Sequence, residues 1–141
     1  METKSTGELH SELMSQPNLD KYIKDNTEFF TERSILDLLT ELYNKKDVTK
    51  AELARQAGIS EVYLHQVFSG RRKPSRDRLL CICIGLGASL EETQTMLKQA
   101  SFAQLYPRIR REAIICHGIL HETPLAEIND TLFVRNEKTL Y

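Results

Sequence analysis

The chain has 141 residues, of which 40% are hydrophobic and 28% charged, with a formal net charge of −1. That is enough apolar content for a real core, and it excludes global disorder. No run approaches the roughly 20 apolar residues needed to cross a bilayer. Met1 to Gln16 mixes Glu, His and Ser with single leucines and lacks the apolar stretch of a signal peptide. The three cysteines, Cys81, Cys83 and Cys116, have no framework spacing, as expected of reduced thiols. The expected location is cytoplasmic, with no membrane partner.

The near-neutral total conceals an asymmetry. Residues 1–49 carry six bases against ten acids (−4), residues 50–78 seven against three (+4), and residues 79–141 six against seven (−1). Positive charge gathered in one short stretch is the pattern of a local electrostatic footprint.

Apolar residues recur three and four apart and β-branched alternation is nearly absent, which predicts an all-α fold. Leu9 and Leu13 mark a first helix that stops before Pro17. Asn18 caps a second, with Leu19, Tyr22 and Ile23 on one face. Thr31 or Ser34 opens a third, whose stripe is Ile35, Leu38, Leu39 and Leu42, ending at Asn44 and Lys45. Thr49 with Glu52 three residues on predicts a capping box for a fourth helix, which Gly58 terminates. Ser60 caps the next, running to Ser69. Ser75 opens one through Leu86, and Ser89 another through about Ala100. Pro107 stands at the start of a helix to about Leu120, and Thr123-Pro124 opens the last, to Phe133.

The stretch from Cys81 to Leu86 with Ser89 to Glu92 has a weak echo 35 residues later, in Cys116 to His121 with Pro124 to Glu127. It predicts that residues 107–133 pack as a second helical hairpin against the first.

The most specific signal lies between Lys50 and Ser69. With Lys50 as the first position of a helix-turn-helix, Leu53 and Ala54 fall where the two helices meet, and Ala57 is again small. Gly58 occupies the turn, where a positive φ is easiest without a Cβ. Ile59 plugs the corner, and Leu64 and Val67 form the buried side of the second helix.

On these residues, with "AELARQAGIS", "SGRRKPSRDRLL" and "IGLGASLEE", residues 34–100 resemble the DNA-binding domain of the Cro and phage-repressor (XRE) family. Residues 105–133, "LYPRIRREAIICHGILHETPLAEINDTLF", resemble an extension carried by XRE-like proteins of Gram-positive gut bacteria. The resemblance implies a lambda-repressor-like five-helix domain at 34–100. An N-terminal helical segment (1–33) would precede it, and a C-terminal helical extension (101–141) would pack on it. It also implies a bacterial transcription regulator that places the second motif helix in the major groove of double-stranded DNA, commonly as a homodimer.

Carried over by position, Glu61, Val62 and Gln66 fall where base edges are read, with Ser60, Tyr63 and His65 beside them. Lys50 falls where the preceding helix could meet a phosphate, and Arg71, Arg72, Lys73 and Arg76 fall where the backbone is followed. Gln66 suits adenine, Val62 a thymine methyl and Glu61 the cytosine amino group. Tyr63 suits packing or backbone contact better than base reading. Arg78 is divided between phosphate and an acid such as Asp77 or Glu92.

Metal chemistry finds little support. Cys81 and Cys83 lie about 200° apart around a helix and cannot share an ion. His117 and His121, four apart, could, but no acid or third ligand completes a set. There is no Gly-rich phosphate loop and no elbow serine, so neither a cofactor nor catalysis is expected. Because the reading helix is poor in long donors, a second class of function stays open. In it the helix-turn-helix is a scaffold for protein–protein interaction, with a partner bound through the N- or C-terminal helices.

Overall fold

The computed structural model describes residues 4–25 and 34–141, and every described element is helical. The chain divides into two compact units, Met1–Glu32 and Arg33–Tyr141. The first contains α1 (Thr6–Ser15) and α2 (Leu19–Asp25). Ser5 and Glu8 close a capping box on α1, and the Asn18 side chain accepts from the Lys21 N–H to open α2. Tyr22 is the buried residue of this hairpin, and its hydroxyl donates to the Leu9 carbonyl at 3.5 Å.

The second unit contains α3 (Ile35–Lys45), α4 (Lys50–Ala57), α5 (Glu61–Phe68), α6 (Arg76–Gly85), α7 (Leu90–Gln99), α8 (Arg110–Leu120) and α9 (Leu125–Val134). Five of these cover the expected five-helix domain. Ser34, Thr49, Ser60, Ser75 and Ser89 each accept from the backbone N–H three residues on, satisfying a donor that the first turn leaves unpaired. Ser34 opens α3; the alternative, Thr31, lies outside the described residues. The capping box is complete at Ser89, while Thr49 shows only the hydroxyl half.

One core runs through the unit. Leu39, Leu53, Leu64, Leu79, Leu80, Ile82, Leu97, Ile115, Ile128 and Leu132 are each no more than 2% exposed. The central packing is α4 on α6, where Gly85 permits close approach. A Cβ there would stand 3.1 Å from both the Ala57 Cβ and a Leu53 methyl. α8 and α9 pair as the echo predicts, and α9 packs on both α4 and α6.

The start of α8 differs from the expectation. It begins at Arg110 rather than Pro107, because residues 106–109 form a turn in which the Ile109 N–H bonds the Tyr106 carbonyl at 2.9 Å. The Tyr106 N–H in turn donates to the buried Glu112 carboxylate at 2.7 Å. That bond, made by a carboxylate that Arg76 of α6 also holds at 2.8 Å, keeps the turn open where Pro107 alone would favour a helix start.

Candidate nucleic-acid interface

α4 and α5 form the motif as the residue register requires. Gly58 adopts φ +66° and terminates α4, and Ile59, Leu64 and Val67 are buried beneath the turn. What α5 leaves outside is decided by the helical period. Taking Glu61 as zero and 100° per residue, His65, Val62 and Gln66 follow at about 40°, 100° and 140°. Glu61, Val62 and His65 are exposed and Gln66 is half-buried, so the four form one continuous strip. Val62, an apolar residue, is 68% exposed there. Glu61 and His65 approach one another at 3.5 Å across one turn. Ser60 is spent on capping the helix.

Two aromatic residues border this strip. Tyr63 lies about 60° beyond Gln66, and Phe68 about 20° short of Glu61; both are half-buried. Each carries cations. The Arg78 guanidinium stands 4.9 Å from the centre of the Tyr63 ring and that of Arg72 5.5 Å. On the other border the Lys50 ammonium stands 5.1 Å from the Phe68 ring and 5.5 Å from Tyr43, two rings that meet edge to face at 5.3 Å. These separations are within the range of cation–π attraction. Arg71 and Lys73 are exposed in the loop after α5 and make no ion pair among the described residues.

Sequence reasoning therefore places Lys50, Glu61, Val62, Tyr63, His65, Gln66, Arg71, Arg72 and Lys73 around one helix. It does not do so for Arg76. That guanidinium is turned inward, bonding the Ala103 and Gln104 carbonyls at 2.9 and 3.3 Å and pairing with Glu112 at 2.8 Å. Arg76 is a tie between α6 and the 101–112 segment, and the expectation of a backbone-contacting residue is corrected on that ground. Arg78 pairs with neither of its expected acids. Asp77 is held by Arg111 at 3.1 Å and Lys138 at 3.7 Å instead. Tyr43 and Phe68 were missed as members of the site. Their signal, aromatics five residues apart from Tyr63 and seven before Lys50, becomes meaningful only after the helices dock.

The titratable groups away from α5 behave as structural elements. Burial raises the Glu112 carboxyl, but the Arg76 pair and the Tyr106 N–H outweigh it and hold its pKa below the ordinary value. Burial pushes the Cys81 and Cys83 thiols up to about 11 and about 12, the opposite of an activated nucleophile. His117 and His121 stack with ring centres 4.1 Å apart. Among the described residues no group of three His, Cys, Asp or Glu side chains could hold a metal ion, and no helix is long and apolar enough to cross a membrane.

Residues 35–96, somewhat under half of the chain, match the family of the helix-turn-helix domain. No curated protein and no solved structure matches the chain. The matched span covers α3 through α7 up to Met96, so the protein carries an all-helical helix-turn-helix domain, a fold of DNA-binding proteins.

Proposed function

We propose that the protein is a sequence-specific DNA-binding transcription regulator that lays α5 in the major groove. The observation that supports this best is the exposed strip Glu61–Val62–His65–Gln66, bordered on both sides by cations. A recognition helix needs that order: residues that reach base edges at the centre, and positive charge where the sugar-phosphate strands pass. Arg71, Arg72 and Lys73 extend the positive border along the loop. The near-neutral total charge is no obstacle, because affinity depends on the local count of phosphate contacts. By the resemblance the protein is bacterial, cytoplasmic and of the XRE type, and it acts as a homodimer on two half-sites.

The test is selection of bound sequences from a random duplex pool, followed by affinity measurements at two salt concentrations. The reading expects an enriched two-fold site whose affinity falls steeply with salt. Gln66→Ala should relax preference at one base pair, at about 1–3 kcal/mol, while Arg72→Glu should weaken binding to every duplex. No enrichment and no salt dependence would reject it.

A second reading has its own observation. The C-terminal hairpin leaves Leu120, Phe133 and Val134 63%, 74% and 77% exposed. Apolar side chains displayed this way suit a protein contact, either with a second copy or with a different partner in an adaptor role. Light scattering across micromolar concentrations, with Phe133→Glu as the control, separates self-association from a monomer. A stoichiometric protein partner whose binding is indifferent to Arg72→Glu would favour the adaptor.

A further inference from the structure

The cations on the two borders of α5 are held by aromatic rings, and the two borders are built alike. On one side the Tyr63 ring meets two guanidiniums, Arg72 from the loop and Arg78 from α6. On the other, the Tyr43–Phe68 pair meets the ammonium of Lys50, the first residue of α4. The cations come from three different segments, and each is brought to the edge of α5 by a ring. Tyr63 and Phe68 lie about 220° apart around the outer side of the α5 wheel, with the whole exposed strip between them and the buried Leu64 and Val67 on the shorter arc. A helix seated in a major groove has one sugar-phosphate strand on either side, so cations on both borders of the strip stand on the sides where the anions pass.

We propose that Tyr63 and the Tyr43–Phe68 pair are positioning residues of a two-sided phosphate clamp, and that Arg78 is a member of it. The clamp rests on the DNA-binding reading above. Long cationic side chains lose much rotamer freedom on meeting a phosphate, and a ring that already confines them removes part of that loss before DNA arrives. A guanidinium lying on a ring face keeps its edge N–H groups free, so stacking and phosphate contact are compatible. Tyr63 therefore acts without touching a base. Its two guanidiniums make it the stronger of the two platforms.

This role has a readout that neither base reading nor simple packing shares. The slope of log affinity against log salt counts the phosphates neutralised, by about 0.9 for each one. Arg78→Gln is expected to weaken binding to every duplex and to reduce that slope by about 0.9. Tyr63→Leu keeps all the cations, so it is expected to weaken binding about tenfold on specific and random duplexes alike, with the slope unchanged. Tyr63→Phe retains the ring and should bind within about twofold of the parent.

The experiment is fluorescence anisotropy with one selected duplex and one scrambled duplex at four salt concentrations. The parent, Tyr63→Leu, Tyr63→Phe and Arg78→Gln are compared, with thermal melts to show that each is folded. Side-chain 15N relaxation of the arginines, without DNA, is measured alongside; Arg72 and Arg78 should be ordered in the parent and in Tyr63→Phe and loosened in Tyr63→Leu. A folded Tyr63→Leu with parental affinity overturns the clamp and leaves the DNA-binding reading standing. So does a loss confined to one base pair, or a Tyr63→Phe as weak as Tyr63→Leu. A parent that binds neither duplex in a salt-dependent way rejects both.

Discussion

The α4–α5 motif and the α8–α9 hairpin are both pairs of short helices joined by a tight turn, yet they are held by different means. Each motif helix begins on a side chain that caps it, Thr49 or Ser60, and α4 ends on a left-handed glycine. α8 and α9 have Ile109 and Pro124 at their N-cap positions, and neither has a side-chain cap. Their order comes from bonds that span the sequence. Glu112 joins Tyr106 and Arg76, and the Arg111 side chain donates to the Lys138 and Thr139 carbonyls. Asn129 accepts from the Leu140 N–H at 2.7 Å. One hairpin is specified locally and the other by its neighbours. The first half of the comparison was readable from sequence for that reason.

The largest expected effect comes at the junction of the two regions. Gly58 holds φ +66°, and a Cβ there would stand 2.7 Å from the Tyr141 ring, so the motif turn is covered by the end of the 135–141 segment. Gly58→Val combines a left-handed β-branched residue with displacement of that ring. It should cost about 3 kcal/mol in chemical denaturation. A cost below about 1 kcal/mol would mean that the turn relaxes and that the contact is incidental.

Glu112→Gln tests the hairpin's dependence on distant partners. It leaves Arg76 without its charge partner and should destabilise by about 2 kcal/mol. The pH dependence follows from the depressed pKa of Glu112. The contribution is fully present above the unfolded-state pKa of about 4.3 and is lost as pH falls through the lower folded-state value. The parent should therefore lose more stability than Glu112→Gln between about pH 5 and pH 3. Parallel pH profiles would remove the ion pair from the account.

A smaller effect sharpens the comparison directly. Ser60→Ala removes the hydroxyl that accepts from the Tyr63 N–H and should cost about 1 kcal/mol. Thr123→Ala, at the start of α9, removes no cap and should change thermal stability little. Equal losses would contradict the division between local and tertiary order. The smallest effect concerns the thiols. With Cys83 fully buried and raised to about 12, its alkylation at pH 8 should follow global unfolding, so any stabilising variant slows labelling in proportion.

The departures from expectation fall where local rules compete with distant contacts. Pro107 is a sound helix start by propensity, but Glu112, paired with Arg76 of α6, takes the Tyr106 N–H and holds the turn ahead of α8. Arg76 sits in the basic stretch that suggests phosphate contact, but the Ala103 and Gln104 carbonyls need a donor and Glu112 needs a charge. Arg78, which offers the same charge two residues on, stands over Tyr63 at the edge of α5 instead.

What the sequence determined by itself is the set of elements whose instructions lie within a few residues of one another. These are the capped helices, the Gly58 turn, the buried stripe of Leu53, Ala57, Leu64 and Val67, and with them the motif and its exposed strip. Caps, left-handed turns and 3.6-residue periodicity are short-range physics, so a linear reading recovers them. The tertiary structure decided which of several similar cations face outward, which rings hold them and where the uncapped helices begin. Those outcomes depend on groups brought together from separate helices, and no local pattern encodes that proximity.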